Sequence, residues 1–331
     1  MNQYQLNPNL FNDDITQEPI RVGFGRGLRV AGEINDKIVA LSADLTDSTQ
    51  EGSFRDTFPD RFIETGIAEQ NLAAVSSGLA LAGKIPFASS FAAFNPGRNW
   101  EQIRTTIALN DQPVKIIGSH AGISDGPDGA THQMLEDIAL MRVLPNMIII
   151  VPGDSLEAEK ATKLIAENGK PCYLRLAREK TPIISTDQSP FEIGKAYVVR
   201  DGADVSLMGT GTMTYQLLVA ANILAQQGIN AEVVHVPTVK PLDTETIIDS
   251  ARRTGRVVTA EEAQIAAGFG GAVAEVLGDQ LPTPIHRIGM QDRFGESGET
   301  EELFDHFEIS GKHIARKVQD FVNNTPQYHR N

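Results

Sequence analysis

Runs of consecutive apolar residues recur along this chain with helix-like stretches between them. Lys37-Ile38-Val39-Ala40-Leu41-Ser42, Val114-Lys115-Ile116-Ile117-Gly118-Ser119-His120 and Met147-Ile148-Ile149-Ile150-Val151 are three of them. A strand that is apolar at nearly every position leaves no side for water. It belongs in a parallel sheet covered by helices on both faces. Pro86 to Phe94 and Pro171 to Arg178 read as two more strands and their exits. Helical patterns run from Ile20 towards Glu33, Asn71 to Ala82, Trp100 to Leu109, Gln133 to Leu144, and from a cap at Asp154 or Ser155 to about Glu167. This alternation predicts a parallel α/β sheet.

A second α/β unit starts near Ala196. Asp204 to Met208, Ala231 to Val236, Arg256 to Ala260 and Ile285 to Ile288 read as its strands, and Met213 to Gln227 as a helix. Gly209-Thr210-Gly211 lacks the third glycine of a dinucleotide fingerprint and reads as a tight strand-helix turn. The expected organisation is an irregular arm over 1–18, a first α/β domain over 19–180, a Pro/Ser/Thr-rich linker over 181–195, a smaller α/β domain over 196–324 and a loose tail over 325–331. A length of 331 residues accommodates two domains.

A formal charge of −14 argues against nucleic acid or an anionic membrane as the main partner. Convergent arginines still build a local phosphate site in such a field. The single cysteine, Cys172, excludes an intrachain disulfide and reads as a core thiol. With no signal-like N-terminus and no membrane-length apolar run, the expected compartment is the cytoplasm.

Phe62-Ile63-Glu64-Thr65-Gly66-Ile67-Ala68-Glu69-Gln70-Asn71 is the densest candidate for chemistry. It places Glu69 at a strand-to-helix junction, where N–H groups and the helix dipole favour an acceptor. By position alone the plain reading of Glu69 is a first-turn carboxylate. Asp44 and Ser48 follow a strand, where open α/β sheets hold ligands, yet turn chemistry explains them equally. Phe91 and Phe94 are core residues or a flat platform for a heteroaromatic ring. His120 ends a strand, and Asp125 to His132 is a Gly/Pro/Asp loop.

Pro59-Asp60-Arg61-Phe62-Ile63-Glu64 leading into Ile67-Ala68-Glu69-Gln70-Asn71 resembles the pyrimidine-binding domain of transketolase. So do Ser119-His120-Ala121-Gly122 and Gly126-Pro127-Asp128-Gly129-Ala130-Thr131-His132-Gln133. The resemblance runs from about Arg21 into the C-terminal region and covers the second and third of a full-length transketolase's three domains. It implies thiamine diphosphate as cofactor, with Glu69 bonding a pyrimidine ring nitrogen and so favouring the reactive tautomer. It implies that Phe91 and Phe94 pack on the pyrimidine and that Asp44 lies near the cofactor or a subunit interface. His120 and His132 resemble the pair near the substrate oxygens. Asp128 resembles the carboxylate that reads a sugar hydroxyl, with Gln133 beside it. Arg21, Ser48 and Arg178 resemble the holders of a terminal phosphate, Arg178 being preferred to Arg175 on the same strand. The implied activity is transfer of a two-carbon ketol unit between phosphorylated sugars.

The family's diphosphate- and metal-binding string, Gly-Asp-Gly with a later Asn, is not matched: Gly153-Asp154-Ser155 is the nearest and lies in the wrong domain. The resemblance therefore implies a separate N-terminal transketolase subunit, two copies of each chain, holding the divalent ion (Mg or Ca). No residue of this chain is assigned to metal. Asn95-Pro96-Gly97 departs from the bulkier segment of full-length relatives, which bears on the substrate more than on the cofactor. A related thiamine enzyme with another carbonyl substrate and a non-catalytic scaffold are the other readings; Glu69, His120 and His132 together weigh against the scaffold.

Overall fold

The computed structural model describes residues 4–328. Its strands in chain order are β1 (Gln17–Pro19), β2 (Ile38–Ser42), β3 (Phe62–Glu64), β4 (Ile85–Phe91), β5 (Lys115–Ser119), β6 (Ile148–Ile150), β7 (Cys172–Arg175) and β8 (Lys180–Pro182). There follow β9 (Tyr197–Arg200), β10 (Val205–Gly209), β11 (Ala231–His235), β12 (Thr238–Lys240), β13 (Val257–Gln264) and β14 (Ile285–Met290). Two α/β domains result, each built on a mainly parallel sheet. The first sheet has seven strands in the order β12-β6-β7-β5-β4-β2-β3, and the second has five in the order β14-β13-β10-β11-β9. In these two sheets, among the described residues, only the edge strands β12 and β9 run antiparallel to their neighbours.

Strand periodicity explains why the apolar runs are continuous. Ile38 and Ala40 join the core on one face of the first sheet, with Phe24, Leu28 and Ile165. Val39 and Leu41 join the core on the other face, with Leu72, Ile107 and Met141. Successive side chains point to opposite faces, and both faces are covered. On the first face the helices Ile20–Ile34 and Ser155–Glu167 cross closely; a Cβ on Gly23 would lie 1.8 Å from the Ser155 carbonyl oxygen. Asp154 caps the second of these, accepting from Glu157 N–H at 2.9 Å.

The helix expected over Gln133–Leu144 is confined to Asp137–Arg142. The Met134 carbonyl accepts from Gly122 N–H, and Ala121 bridges to Met134, so this segment closes the preceding loop instead. The helix expected from Trp100 is one α turn, Trp100–Gln102, continued as a wide π turn over Ile103–Ala108. There the hydroxyls of Thr105 and Thr106 bond the carbonyls of Glu101 and Gln102, which competes with regular helix pairing.

The arm is less irregular than expected. β1 pairs with β8, within the segment read as a linker boundary. Tyr4 is buried and donates to Glu157 Oε1 at 2.8 Å. Glu157 Oε2 meets His235 Nε2 at 2.8 Å, so the arm, the first domain and the second domain share one buried network. β12 adds a further tie: it follows β11 of the second sheet but pairs with β6 of the first. At the other end Gln327 bonds the carbonyls of Ala203, Asp204 and Thr254, which pins the start of the tail. Residues 1–3 of the expected arm and 329–331 of the expected tail lie outside the described residues.

Glu51 lies fully buried beneath the loop that follows β2, accepting from Ser89 Oγ at 2.8 Å and Thr49 Oγ1 at 2.9 Å. Burial pushes its carboxyl up to about 8. A carboxyl raised above its unfolded value of about 4.3 keeps a proton in the native state that the unfolded chain releases. Its contribution is full below the unfolded value and is lost as pH rises through the folded one, by up to about 1.4 kcal/mol per pH unit. Thermal midpoints should show it: from pH ~5 to ~8.5 the wild type loses more stability than Glu51→Gln. Parallel losses in the two proteins would assign the effect elsewhere.

Candidate active site

The first sheet gathers the candidate residues at one edge. β2 leads to Asp44 and Ser48, β3 to Glu69, β4 ends at Phe91 and leads to Phe94, β5 leads to His120, and β7 to Arg178. These are the carboxyl ends of parallel strands, where open α/β sheets form their ligand crevices.

Glu69 opens the helix Glu69–Leu81 and is 1% exposed. Its Oε2 pairs with Arg98 Nη1 at 2.7 Å, and its backbone carbonyl accepts from Asn99 Nδ2 at 2.9 Å. The same Arg98 guanidinium lies over the Phe94 ring, 4.6 Å from its centroid. Phe91 and Phe94 have centroids 6.3 Å apart and planes 18° from parallel. His120 stacks on Phe91 at 3.8 Å. His132 meets Phe94 edge-on at 5.4 Å and Phe91 at 6.1 Å. A carboxylate, two aromatic faces and two imidazoles thus form one wall.

His120 has a left-handed backbone, φ 58°, which turns the chain sharply out of β5. Its Nδ1 lies 2.8 Å from Ser119 Oγ. Burial first, then the charges of Arg21 and Arg178, then His132, push its imidazole down to about 3. It is therefore a neutral hydrogen-bonding group throughout the physiological range. Its NMR resonances should show no protonation step between pH ~5 and ~9; a step near the ordinary value of about 6.5 would contradict this environment.

Arg21, Ser48 and Arg178 come together through their backbones. Arg21 Nη1 donates to the Ser48 carbonyl at 2.7 Å, and its Nε to the Arg178 carbonyl at 3.3 Å. Burial and the neighbouring Arg178 lower the Arg21 guanidinium. Arg178 Nη1 donates to the Asp125 carbonyl at 2.9 Å and lies 3.2 Å from Asp128 Oδ1. Arg175, the other arginine of that strand, is a different kind of residue. It is 4% exposed and pairs with Asp137 at 2.8 Å, inside the core. Gln133 spends its amide nitrogen on the carbonyls of Gly126 and Glu296, holding the loop to the second domain. Asp44 has φ 60°, and its N–H donates to Glu64 Oε1 at 2.8 Å; among the described residues no side-chain bond joins it to the wall.

Three residues beyond the sequence expectations shape the site. Arg98 engages both Glu69 and Phe94. Glu64 ties Asp44 to Gly66, whose N–H it accepts at 2.9 Å. Glu262 reaches across from β13, accepting from Ser124 N–H at 2.9 Å and pairing with the hydroxyl of Thr212 at 2.6 Å. Gly122 is required beneath it: with φ +87°, a Cβ there would lie 2.5 Å from Glu262 Oε2. The signal for Glu262 was a pair of acids, Glu261-Glu262, at the end of a buried-type strand. Arg98 has no such local mark.

Comparison with known proteins adds the lineage of this arrangement. The family model for the pyrimidine-binding domain of transketolase matches residues 19–183, and that for the transketolase C-terminal domain matches residues 194–314. The chain is 43% identical to a putative transketolase C-terminal section of Methanocaldococcus jannaschii, covering 91% of this chain and 95% of that one. It is 42% identical to a 6-deoxy-6-sulfo-D-fructose transketolase subunit of a Clostridium species, over 86% of this chain and 89% of that one. Among solved structures, a split gene transketolase described as an inactive beta4 tetramer superposes with a TM-score of 0.86 at 43% identity, covering 92% of this chain and 98% of that one.

Proposed function

This chain belongs to the transketolase family, and on that premise we propose that it is one half of a split, thiamine-diphosphate-dependent ketol transferase. The reaction is transfer of a two-carbon unit from a ketose phosphate to an aldose phosphate. A separate N-terminal-type subunit supplies the diphosphate and divalent-metal sites, with two copies of each chain in the assembly. That a similar chain is described as an inactive tetramer of its own kind favours a need for such a partner.

The residues present fit the cofactor's pyrimidine end. The Arg98 guanidinium is flat, carries N–H donors, bonds Glu69 and lies on Phe94. Those are the two contacts an aminopyrimidine requires. Arg98 is half-exposed, 48%, so its guanidinium stands between the wall and solvent. When bound, thiamine diphosphate supplies the nucleophilic carbon that the protein lacks.

This chain's own groups then act as follows. Glu69, almost wholly buried, would hold or move a proton at a ring nitrogen of the cofactor. Phe91 and Phe94 exclude water and stack. His132 holds or moves a proton at a substrate oxygen, and neutral His120 orients a second oxygen. Asp128 accepts from a sugar hydroxyl. Arg21, Ser48 and Arg178 hold the distal anion, for which the guanidinium fork is suited.

The observation that carries this reading is the convergence of Glu69, Phe91, Phe94, His120 and His132 on one wall. The test is reconstitution with the diphosphate-binding subunit of the same organism, thiamine diphosphate and magnesium. Pentose phosphates should yield sedoheptulose phosphate, and neither chain should turn over alone. Failure to form it in an assembled complex would sink the assignment. The Clostridium relative favours a second reading, a sugar whose distal anion is a sulfonate; turnover of 6-deoxy-6-sulfofructose but not of fructose 6-phosphate would select it.

A further inference from the structure

Asp125 has no part in the reading above. It lies in the turn Ile123–Asp128 and is fully buried, yet neither carboxylate oxygen has a hydrogen-bond partner among the described residues. Its Oδ1 lies 3.8 Å from Arg178 Nη1, the nitrogen that its own backbone carbonyl already engages. The charges that face it are Arg178 and, more weakly, Arg21 on the positive side, and Asp128, Glu179 and Glu262 on the negative. Glu262 is committed to Ser124, Thr212 and Arg175. Two guanidiniums therefore meet the carboxylates of Asp128 and Glu179 at the rim and of Asp125 beneath it.

A sugar phosphate entering between the guanidiniums brings nearly two more negative charges. With Asp125 ionised, that anion meets a buried carboxylate at close range, where attraction and repulsion alike are strong. We propose that Asp125, buried beside the guanidinium assigned to the distal phosphate, is a positioning residue that becomes a neutral acid as the phosphate binds, taking up one proton from solvent. Protonation removes a negative charge from the rim. Burial, and next the carboxylate of Asp128, push the Asp125 carboxyl up to about 7, so the proton is available near neutrality. The inference rests on the assignment of Arg21, Ser48 and Arg178 to the distal anion.

Calorimetric titration of the complex of this chain with its diphosphate-binding subunit and thiamine diphosphate, using ribose 5-phosphate, tests it. Two buffers of different ionisation heat at pH ~8, well above the phosphate's own second ionisation near 6, report the protons taken up. The expected result is close to one proton per sugar bound, with Kd weakening about tenfold per pH unit above pH ~8. In Asp125→Asn the uptake falls close to zero and the Kd becomes flat over the same range. No uptake by the wild type would overturn the proposal without recourse to any variant. Uptake unchanged in Asp125→Asn would place the proton on another group and overturn it as well. No binding of ribose 5-phosphate by the wild type at any pH would instead overturn the anion-site assignment beneath it.

Discussion

Glu69→Gln in the reconstituted complex is expected to lower ketol transfer by roughly 10²–10⁴-fold, the range for loss of a positioned acid–base group. The fold should be unaffected. The amide is the same shape, its oxygen still accepts from Arg98, and the backbone bond to Asn99 does not involve the side chain. What the amide cannot do is exchange a proton with a ring nitrogen. The loss should therefore fall on kcat, with substrate KM little changed. Steady-state kinetics alongside circular dichroism separate the cases. Turnover within threefold of wild type would favour a scaffold role for this chain.

The second large effect is on stability and concerns the arginine that the site does not use. Arg175→Met should destabilise the chain by roughly 3–5 kcal/mol, the range for breaking a buried pair by removing one partner. Asp137, fully buried, receives Arg175 Nε at 2.8 Å and Tyr173 Oη at 2.7 Å. Its other oxygen has no partner among the described residues. Glu262 Oε1 lies 3.8 Å from Arg175 as well, so one substitution removes the counter-charge of two buried carboxylates, one from each domain, and leaves them only neutral hydrogen-bond donors. Arg178→Met provides the contrast. Its pairs with Asp128 and Glu179 are partly exposed and worth at most about 1 kcal/mol, and its contact with buried Asp125 is a loose 3.8 Å, so it should cost far less stability than Arg175→Met while weakening sugar-phosphate binding. Urea unfolding of both variants checks the pair of expectations. Equal destabilisation by the two would refute the division of labour between these neighbouring arginines.

That division marks the boundary of what local sequence reveals. The apolar runs disclosed both sheets, because strands buried on two faces are mostly apolar; Lys115 and Glu232 are buried exceptions that carry their own partners. The motifs disclosed the wall, because Glu69, Phe91 and His120 each lie at or just beyond the carboxyl end of a strand. Contacts between residues distant along the chain left no such trace. Arg98 lies 29 positions from Glu69, and nothing around it marks a partner for a buried acid. Asp125 in a Gly/Pro/Asp loop reads as turn chemistry, and only tertiary packing removes it from water. The pairing of β12 with β6 depends on three residues between Pro237 and Pro241, too few to show a period. The arm's Tyr4 reaches Glu157 across 153 positions. The expected helix at Gln133 fails for the same reason, since its first turn is drawn into closing the loop that carries Asp128 and His132.

We propose above that Glu69 serves the pyrimidine of a cofactor whose diphosphate end another chain holds. A structure of this chain assembled with its diphosphate-binding partner and thiamine diphosphate measures it directly. A ring nitrogen should lie about 3 Å from a Glu69 carboxylate oxygen, with Arg98 moved off the Phe94 ring and diphosphate contacts from the partner. A pyrimidine remote from Glu69, or a cofactor enclosed by this chain alone, would contradict it.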